Sequence, residues 1–366
     1  MSRRPWLIVL TAYSVFLPDL LAQPSSPANL PTPKRFTPPA ESLPLNKALD
    51  ALAQQTGIRV EDRLGKPDVQ VRLNPHPFSF WQALDRIAEA AGAKVDLRPS
   101  GTLVLVPAPP KWHRPPLSYD GPFRLALKGV TASLDLETDA AHYTATIEAA
   151  WEPSLLPLFL ETRPQGLRMV DDKGNALSAP DAGSAVAPVD GRTSLTFDVP
   201  LPALPRSAAR IRQLDGTLSA VVPSKMLTFT FPTLDQLEKA TADAPERGQT
   251  LDGVGCRVSK VVLAKDRWTV QVSLDLPPGG KRLESYQSWV VNNEMVLQSK
   301  DGKTRLAGSD YFLNSASSRR AVLTYHFRDK GRSARGKPED WRVVYRTPAS
   351  IIEAPVKFSF KDVRLP

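Results

Sequence analysis

Residues 143–151 have the sequence YTATIEAAW, and residues 268–276 have the sequence WTVQVSLDL. In both stretches apolar and polar side chains alternate with a period of two, which is typical of a β-strand that buries one face. The same alternation dominates the chain from residue 117 onward. It predicts a mainly β fold there, whose inward-facing positions include Val130, Leu134, Leu136, Tyr143, Ala145, Ile147, Val270, Val272 and Leu274.

The two quoted stretches belong to an internal repeat. Equivalent strands and a Lys/Asp-Gly turn recur in the same order, with offsets between 125 and 132 residues. Each half closes on a Pro-x-Lys strand, PSKMLTFTF at 223–231 and PVKFSF at 355–360. A nearly constant offset is what a duplicated domain gives. We therefore predict two tandem, internally repeated antiparallel β-sandwiches of immunoglobulin-like size.

Residues 41–107 follow a different pattern. Apolar residues from Leu45 to Gln55 recur at helical spacing, and Gly57 stands where a C-cap glycine belongs. A capping box at Ser79-Phe-Trp-Gln82 opens a second amphipathic helix, and short alternating strands follow each helix. The order helix–strand–strand–helix–strand–strand predicts a small α/β domain in which two helices cover one face of a small sheet.

This segment resembles the short N-terminal domain of secretins and TonB-dependent receptors. The resemblance lies in LNKALDALAQQTG at 45–57, VQVRL at 69–73, FWQALDRIAEAAG at 80–92 and GTLVLV at 101–106. It implies an exported, periplasm-facing interaction module that has no enzymatic residues. Residues 108–366 resemble neither a secretin pore nor a receptor barrel, so the gating and uptake roles of those families are not implied.

The N-terminus has the features of a secretory signal. Arg3 and Arg4 precede an apolar run, and Leu20-Leu21-Ala22 offers a cleavage site. A signal that is retained as a membrane anchor is the alternative. No later stretch approaches the ~18 consecutive apolar residues of a spanning helix, so we expect no transmembrane span in the mature chain. The expected location is the periplasm or the cell surface.

Proline, with 36 residues, punctuates this organisation. The predicted segments are a signal peptide at 1–22, a disordered linker at 23–40, the α/β domain at 41–107, a proline-rich linker at 108–116, the first sandwich at 117–232, a helical linker at 233–249 and the second sandwich at 250–366.

No segment has the pattern of a catalytic or metal site. The four histidines stand apart without metal-ligand spacing, and neither a G-x-S-x-G elbow nor a glycine-rich phosphate loop occurs. Cys256 is the only cysteine, and we expect it to pack as a small apolar side chain. We predict a protein that is not an enzyme and that has no metal or cofactor. The alternative is an envelope hydrolase with its site between the two sandwiches.

Positive charge is concentrated near the C-terminus. The formal net charge is +9, and residues 300–346 hold twelve Lys/Arg against five Asp/Glu. Such an excess favours an anionic glycan, lipid head groups or an acidic protein, although a solvated loop would also account for it. Nucleic acid is not expected, because we expect the chain to be exported and the basic loop at residues 328–337 has no interleaved aromatic residues for base stacking. The candidate binding residues are Arg319, Arg320, Arg328, Lys330, Arg332, Arg335 and Lys337.

The resulting hypothesis is a non-enzymatic, exported envelope protein that mediates protein or polymer interactions. Its sandwiches would act as a spacer or binding platform, and its partner would be another envelope protein or an anionic surface polymer. Polyanion binding through residues 300–346 is a further alternative. The oligomeric state stays open.

Overall fold

A computed structural model describes residues 31–66, 68–98, 101–179, 183–189, 191–205, 207–276, 293–317, 319–328 and 336–366. The fold is mainly β, as the alternation predicts, with a small α/β domain ahead of two antiparallel β-sandwiches. Across these ranges no helix combines the length and the apolar character that crossing a bilayer requires. The predicted signal at 1–22 lies outside the described residues.

The α/β domain contains two helices whose predicted ends are confirmed. Helix α1 (Leu45–Thr56) ends at Gly57, whose φ of 74° is the left-handed conformation that favours glycine at this position. Helix α2 (Phe80–Ala90) begins after Ser79, which forms the capping box with Gln82. The strands are β1 (Arg35–Phe36), β2 (Ser42–Pro44), β3 (Val60–Asp62), β4 (Gln70–Arg72), β5 (Phe78–Ser79), β6 (Ala93–Leu97) and β7 (Leu103–Pro107).

These strands form three small sheets, whereas the sequence predicted one. Strand β1 pairs with β5, β2 pairs with β4, and β7 lies between β3 and β6. Strand β1 corrects the predicted disordered linker at 23–40, because part of that segment is a strand of the α/β domain. The physical reason is Phe36, which is fully buried in the core of this domain.

The rest of the chain is nearly all strand. Helix α3 (Leu234–Lys239) lies in the predicted helical linker and buries Leu234 and Leu237. The strands are β8 (Leu117–Asp120), β9 (Phe123–Asp135), β10 (Ala140–Trp151), β11 (Phe159–Glu161), β12 (Gln165–Asp171), β13 (Ala176–Ser178), β14 (Val186–Pro188), β15 (Ser194–Leu201), β16 (Arg210–Thr233), β17 (Gly248–Leu251), β18 (Val254–Leu263), β19 (Arg267–Asp275), β20 (Glu294–Ser299), β21 (Arg305–Ala307), β22 (Asp310–Ala316), β23 (Arg320–Arg328) and β24 (Trp341–Arg364).

The sheet order repeats between the two halves. One outer sheet has the order β15-β10-β9-β8, and the other has the matching order β23-β19-β18-β17, with β22 added beside β23. A third sheet, β13-β12-β16-β24-β20-β21, contains strands from both halves in mirrored positions. At its centre the strands β16 and β24, of 24 residues each, pair antiparallel along their length.

The last strand of each half, β16 or β24, extends into the core of the other half. Phe229 and Phe231 of β16 are buried in the second core, with Val270 and Leu323. Phe358 and Phe360 of β24 are buried in the first core, which also contains side chains of β9, β10 and β12. The two sandwiches therefore share one sheet and exchange strand ends.

Bulges change which side chains face the cores. In β9, Lys128 is an extra residue relative to β10, so the alternation that buries Leu125 and Leu127 reverses beyond it. Two predicted core residues are nevertheless wrong: Leu134, on the same face as Val130 near the end of β9, is 46% exposed, and Leu136, in the turn that follows β9, is 87% exposed, and neither belongs to the first core. Val130 and Tyr143 pack partly buried against the first core, while the other predicted inward residues are buried, namely Ala145, Ile147, Val270, Val272 and Leu274.

A glycine at the central ladder permits one close contact. Gly216 of β16 lies opposite Phe358 of β24, and a Cβ at residue 216 would lie 2.5 Å from a carbon of the Phe358 ring. Phe358 is buried, so its ring cannot move aside. We predict that Gly216→Ala lowers the free energy of unfolding by about 1–3 kcal/mol in urea titrations. Gly129→Ala is the matched control, because a Cβ there meets no atom within 4 Å. Equal stability of the two variants would contradict the prediction.

Candidate functional site

A cleft of about 540 Å³ lies where the α/β domain meets the first sandwich. One wall is formed by α2 and β6, and the opposite wall by residues 112–115 of the proline-rich linker together with β9 and β10. The polar side chains that line it are Asp85, Glu89, Lys94, Asp96, His113, Arg114, Arg124, Lys128 and Glu148.

A buried ion pair joins the two domains beside this cleft. Asp85 of α2 accepts two hydrogen bonds from Arg124 of β9, from Nε at 2.7 Å and from Nη2 at 3.0 Å. Asp85 is 5% exposed and Arg124 is 7% exposed. Tyr119 donates its hydroxyl to Asp85 at 2.9 Å, and Glu148 lies 3.4 Å from Arg124. We call Asp85, Tyr119, Arg124 and Glu148 the clamp. Its bidentate geometry satisfies charges that would be costly to bury alone.

The state of Tyr119 follows from its surroundings. Burial and the neighbouring Asp85 carboxylate raise the pKa of Tyr119 well above its usual value. The hydroxyl therefore stays protonated and acts as a hydrogen-bond donor at neutral pH.

Backbone and apolar contacts surround the clamp. The indole Nε1 of Trp81 donates to the carbonyl of Pro122 at 3.0 Å, and Ala150 of β10 belongs to the core of the α/β domain. Arg124 also lies over the Trp81 ring, 6.0 Å from its centre. The domain interface is thus a continuation of the core.

A second buried carboxylate fixes the start of the α/β domain. Glu152, which is 2% exposed, accepts the backbone N–H of Lys34 with both oxygens, at 2.9 and 3.2 Å. The carbonyl of Lys34 accepts in turn from the N–H of Phe80. Burial raises the pKa of Glu152 to about 7.

The predicted basic residues do not form one patch in the described part of the chain. Arg320 and Arg328 stand at opposite ends of β23, roughly 27 Å apart at the rise of an extended strand. Arg320 pairs with Asp275, Arg328 with Asp310, and Lys337 with Glu339, while Arg319 is exposed beside Arg320. Lys330, Arg332 and Arg335 lie outside the described residues.

The junction of the two sandwiches holds a smaller cavity of about 330 Å³. Of the described residues that line it, one is a carboxylate: Glu294, which pairs with Arg346 at 2.9 Å and with Arg305 at 3.7 Å. A hydrolase site there would need a pair of carboxylates that face each other across the cavity.

The remaining candidate groups can also be placed. Over the described ranges, no three His, Cys, Asp or Glu side chains are grouped so that they could hold a metal ion. Cys256 is buried in the second core, as expected, and burial raises the pKa of its thiol. His326 is 9% exposed and lies 3.0 Å from the hydroxyl of Thr269.

The sequence did carry a signal for the clamp that spacing rules miss. Asp85 lies on the apolar face of α2, between the buried residues Leu84 and Ile87, and Arg124 interrupts the apolar run of β9. A charged residue on a face predicted to be buried indicates an oppositely charged partner elsewhere in the chain, because an unpaired buried charge is strongly unfavourable.

Comparison with the models of known protein families, with curated protein sequences and with solved structures finds no match to this chain. The resemblance of residues 41–107 to the short domain of secretins and TonB-dependent receptors therefore stays a prediction.

The clamp gives a direct prediction for stability. We expect Asp85→Ala to lower the free energy of unfolding by about 3–5 kcal/mol, because it leaves Arg124 buried without its bidentate partner. Glu89→Ala is the control on the same helix: its ion pair with Arg114 is exposed, and the expected cost is below about 1 kcal/mol. Both values come from urea titration. Similar losses of unfolding free energy in the two variants would show that the clamp stabilises the protein no more than an exposed ion pair does.

Glu152 gives a prediction for pH dependence. Because its pKa of about 7 in the folded protein lies above the ordinary value of 4.5, the folded state holds the proton more tightly than the unfolded state. Stability should therefore fall as the pH rises from 4.5 through 7.

The test is the non-titrating variant Glu152→Gln. Its stability relative to the unmodified chain should increase with pH across that window, by a total on the order of 3 kcal/mol. Thermal unfolding between pH 4 and pH 8 measures the difference. The control Glu61→Gln, at an exposed carboxylate, should leave the dependence of stability on pH the same as in the unmodified chain. A Glu152→Gln profile parallel to that of the unmodified chain would rule out this role.

Proposed function

We propose that this chain is an exported, non-catalytic protein of the cell envelope that binds a protein partner in the cleft between its α/β domain and its first sandwich. The sandwiches serve as the rigid platform that carries the cleft. Export rests on the sequence of residues 1–22 and on the resemblance of residues 41–107 to a periplasm-facing interaction domain.

The observation that carries the proposal is the pairing of charges in the cleft. Each of the four carboxylates that line it has a cationic partner: Asp85 with Arg124, Glu148 with Arg124 and Lys128, Glu89 with Arg114, and Asp96 with Arg98. Carboxylates held in ion pairs are poorly placed to transfer protons to a substrate. They suit a surface whose shape is fixed before the partner arrives.

Site-specific photo-crosslinking in cells that make the full chain tests the proposal. A benzoylphenylalanine replaces Lys94, which lines the cleft, and in a second variant replaces Leu136, which is 87% exposed at the end of the β9–β10 hairpin. Ultraviolet light should give an adduct of defined mass from position 94 and none from position 136. Cell fractionation of the same samples should place the chain outside the cytoplasm.

Two outcomes would overturn the proposal. One is the absence of any adduct from position 94, or an equal yield from both positions, which would mean that the cleft holds no specific partner. The other is a chain that stays in the cytoplasm with residues 1–22 intact.

A further inference from the structure

Strand β6 forms one edge of its sheet, and its ladder fixes which backbone groups face outward. The N–H of Ala108 donates to the carbonyl of Gly92, and the N–H of Arg98 donates to the carbonyl of Thr102. In an antiparallel pair the residues that bond to the partner strand alternate. Gly92, Lys94, Asp96 and Arg98 therefore direct their backbone groups toward β7.

The residues between them direct their backbone groups away from β7. The N–H and C=O groups of Ala93, Val95 and Leu97 face the open edge, at intervals of about 7 Å. No described residue of the chain forms a hydrogen bond with these groups. Ala93 is buried, and Val95 and Leu97 are half-buried, because their side chains pack against the core of the α/β domain. Unpaired N–H and C=O groups along the edge of a sheet are a template on which another strand can pair.

The open edge lies inside the cleft. Ala93 to Leu97 form part of its wall, and Trp112 to Pro115 form part of the remaining lining. Arg114 of the linker forms an exposed ion pair with Glu89 of α2 beside this edge. The cleft can admit an extended chain, but a second folded copy would have to bring its own recessed β6 against this one. The shape therefore selects a single strand.

We propose that β6 is the binding site of an extended peptide segment of a protein partner, which adds to the three-stranded sheet as a fourth strand. This inference rests on the proposed function and specifies the chemistry of its partner. The partner segment would supply alternating backbone donors and acceptors to Ala93, Val95 and Leu97, with no proline at the pairing positions. Lys94 and Asp96 line the same site, so polar side chains of the segment can be accommodated.

A pair of substitutions at one position tests the backbone role. Val95→Pro removes an outward N–H without removing a hydrogen bond to β7, whereas Val95→Thr changes the side chain and keeps the N–H. A random decapeptide library displayed on phage is panned against the full chain, and the enriched peptides are synthesised. We expect their Kd to increase at least tenfold with Val95→Pro and to change less than threefold with Val95→Thr. Circular dichroism confirms that both variants are folded.

Amide hydrogen exchange on the unmodified chain provides a readout that does not depend on a variant. Adding an enriched peptide should slow exchange at the N–H groups of Val95 and Leu97, while those of Lys94 and Asp96, already in the ladder, should change little.

Several outcomes would overturn the inference: no enriched peptide, equal affinity for the Pro and Thr variants, or unchanged exchange at Val95 and Leu97. Sedimentation that shows a dimer which Val95→Pro dissociates would assign the edge to a second copy instead. If crosslinking from position 94 captures a partner while Val95→Pro leaves peptide binding unchanged, the proposed function stands and this inference fails.

Discussion

The pairing of β16 with β24 is the constraint on which both sandwiches depend. The ladder runs from Arg210 opposite Arg364 to Thr233 opposite Arg342, and it passes through both cores. Phe229 from the first half fills the second core, and Phe360 from the second half fills the first. Neither sandwich can open alone without removing an apolar strand from the other, so the two should unfold together and form one rigid body.

Local features of the fold could be predicted from the sequence because neighbours in the chain determine them. The capping box at Ser79, the C-cap at Gly57 and the alternation of the strands are of this kind. The bulges were missed, although a single extra residue reverses the buried face. Along β16 the residues buried in the first core are even-numbered from Leu214 to Val222, and those buried in the second core are odd-numbered from Leu227 to Phe231, across register shifts beside Pro223. Period-two reasoning cannot locate such a shift, because it depends on the partner strand.

The candidate site was missed for a related reason. Asp85 and Arg124 are separated by 39 residues, and only the docking of the α/β domain brings them together. The open edge of β6 is also a property of the assembled sheet, since an edge strand and a central strand of this length have similar sequences. Composition drew attention to the basic residues, but β23 separates Arg320 from Arg328, and carboxylates pair with both.

The clamp limits how the cleft can work. Swinging the α/β domain away from the first sandwich would separate Asp85 from Arg124 and would also remove Ala150 from the α/β core. A partner that reversed a 99:1 preference for the closed arrangement would need about 5.5 kcal/mol of extra affinity for the open one. The backbone groups of β6 already face the cleft in the closed arrangement, so opening would add no hydrogen bonds there. Recognition should therefore take place in the cleft as it stands, with the two domains held together.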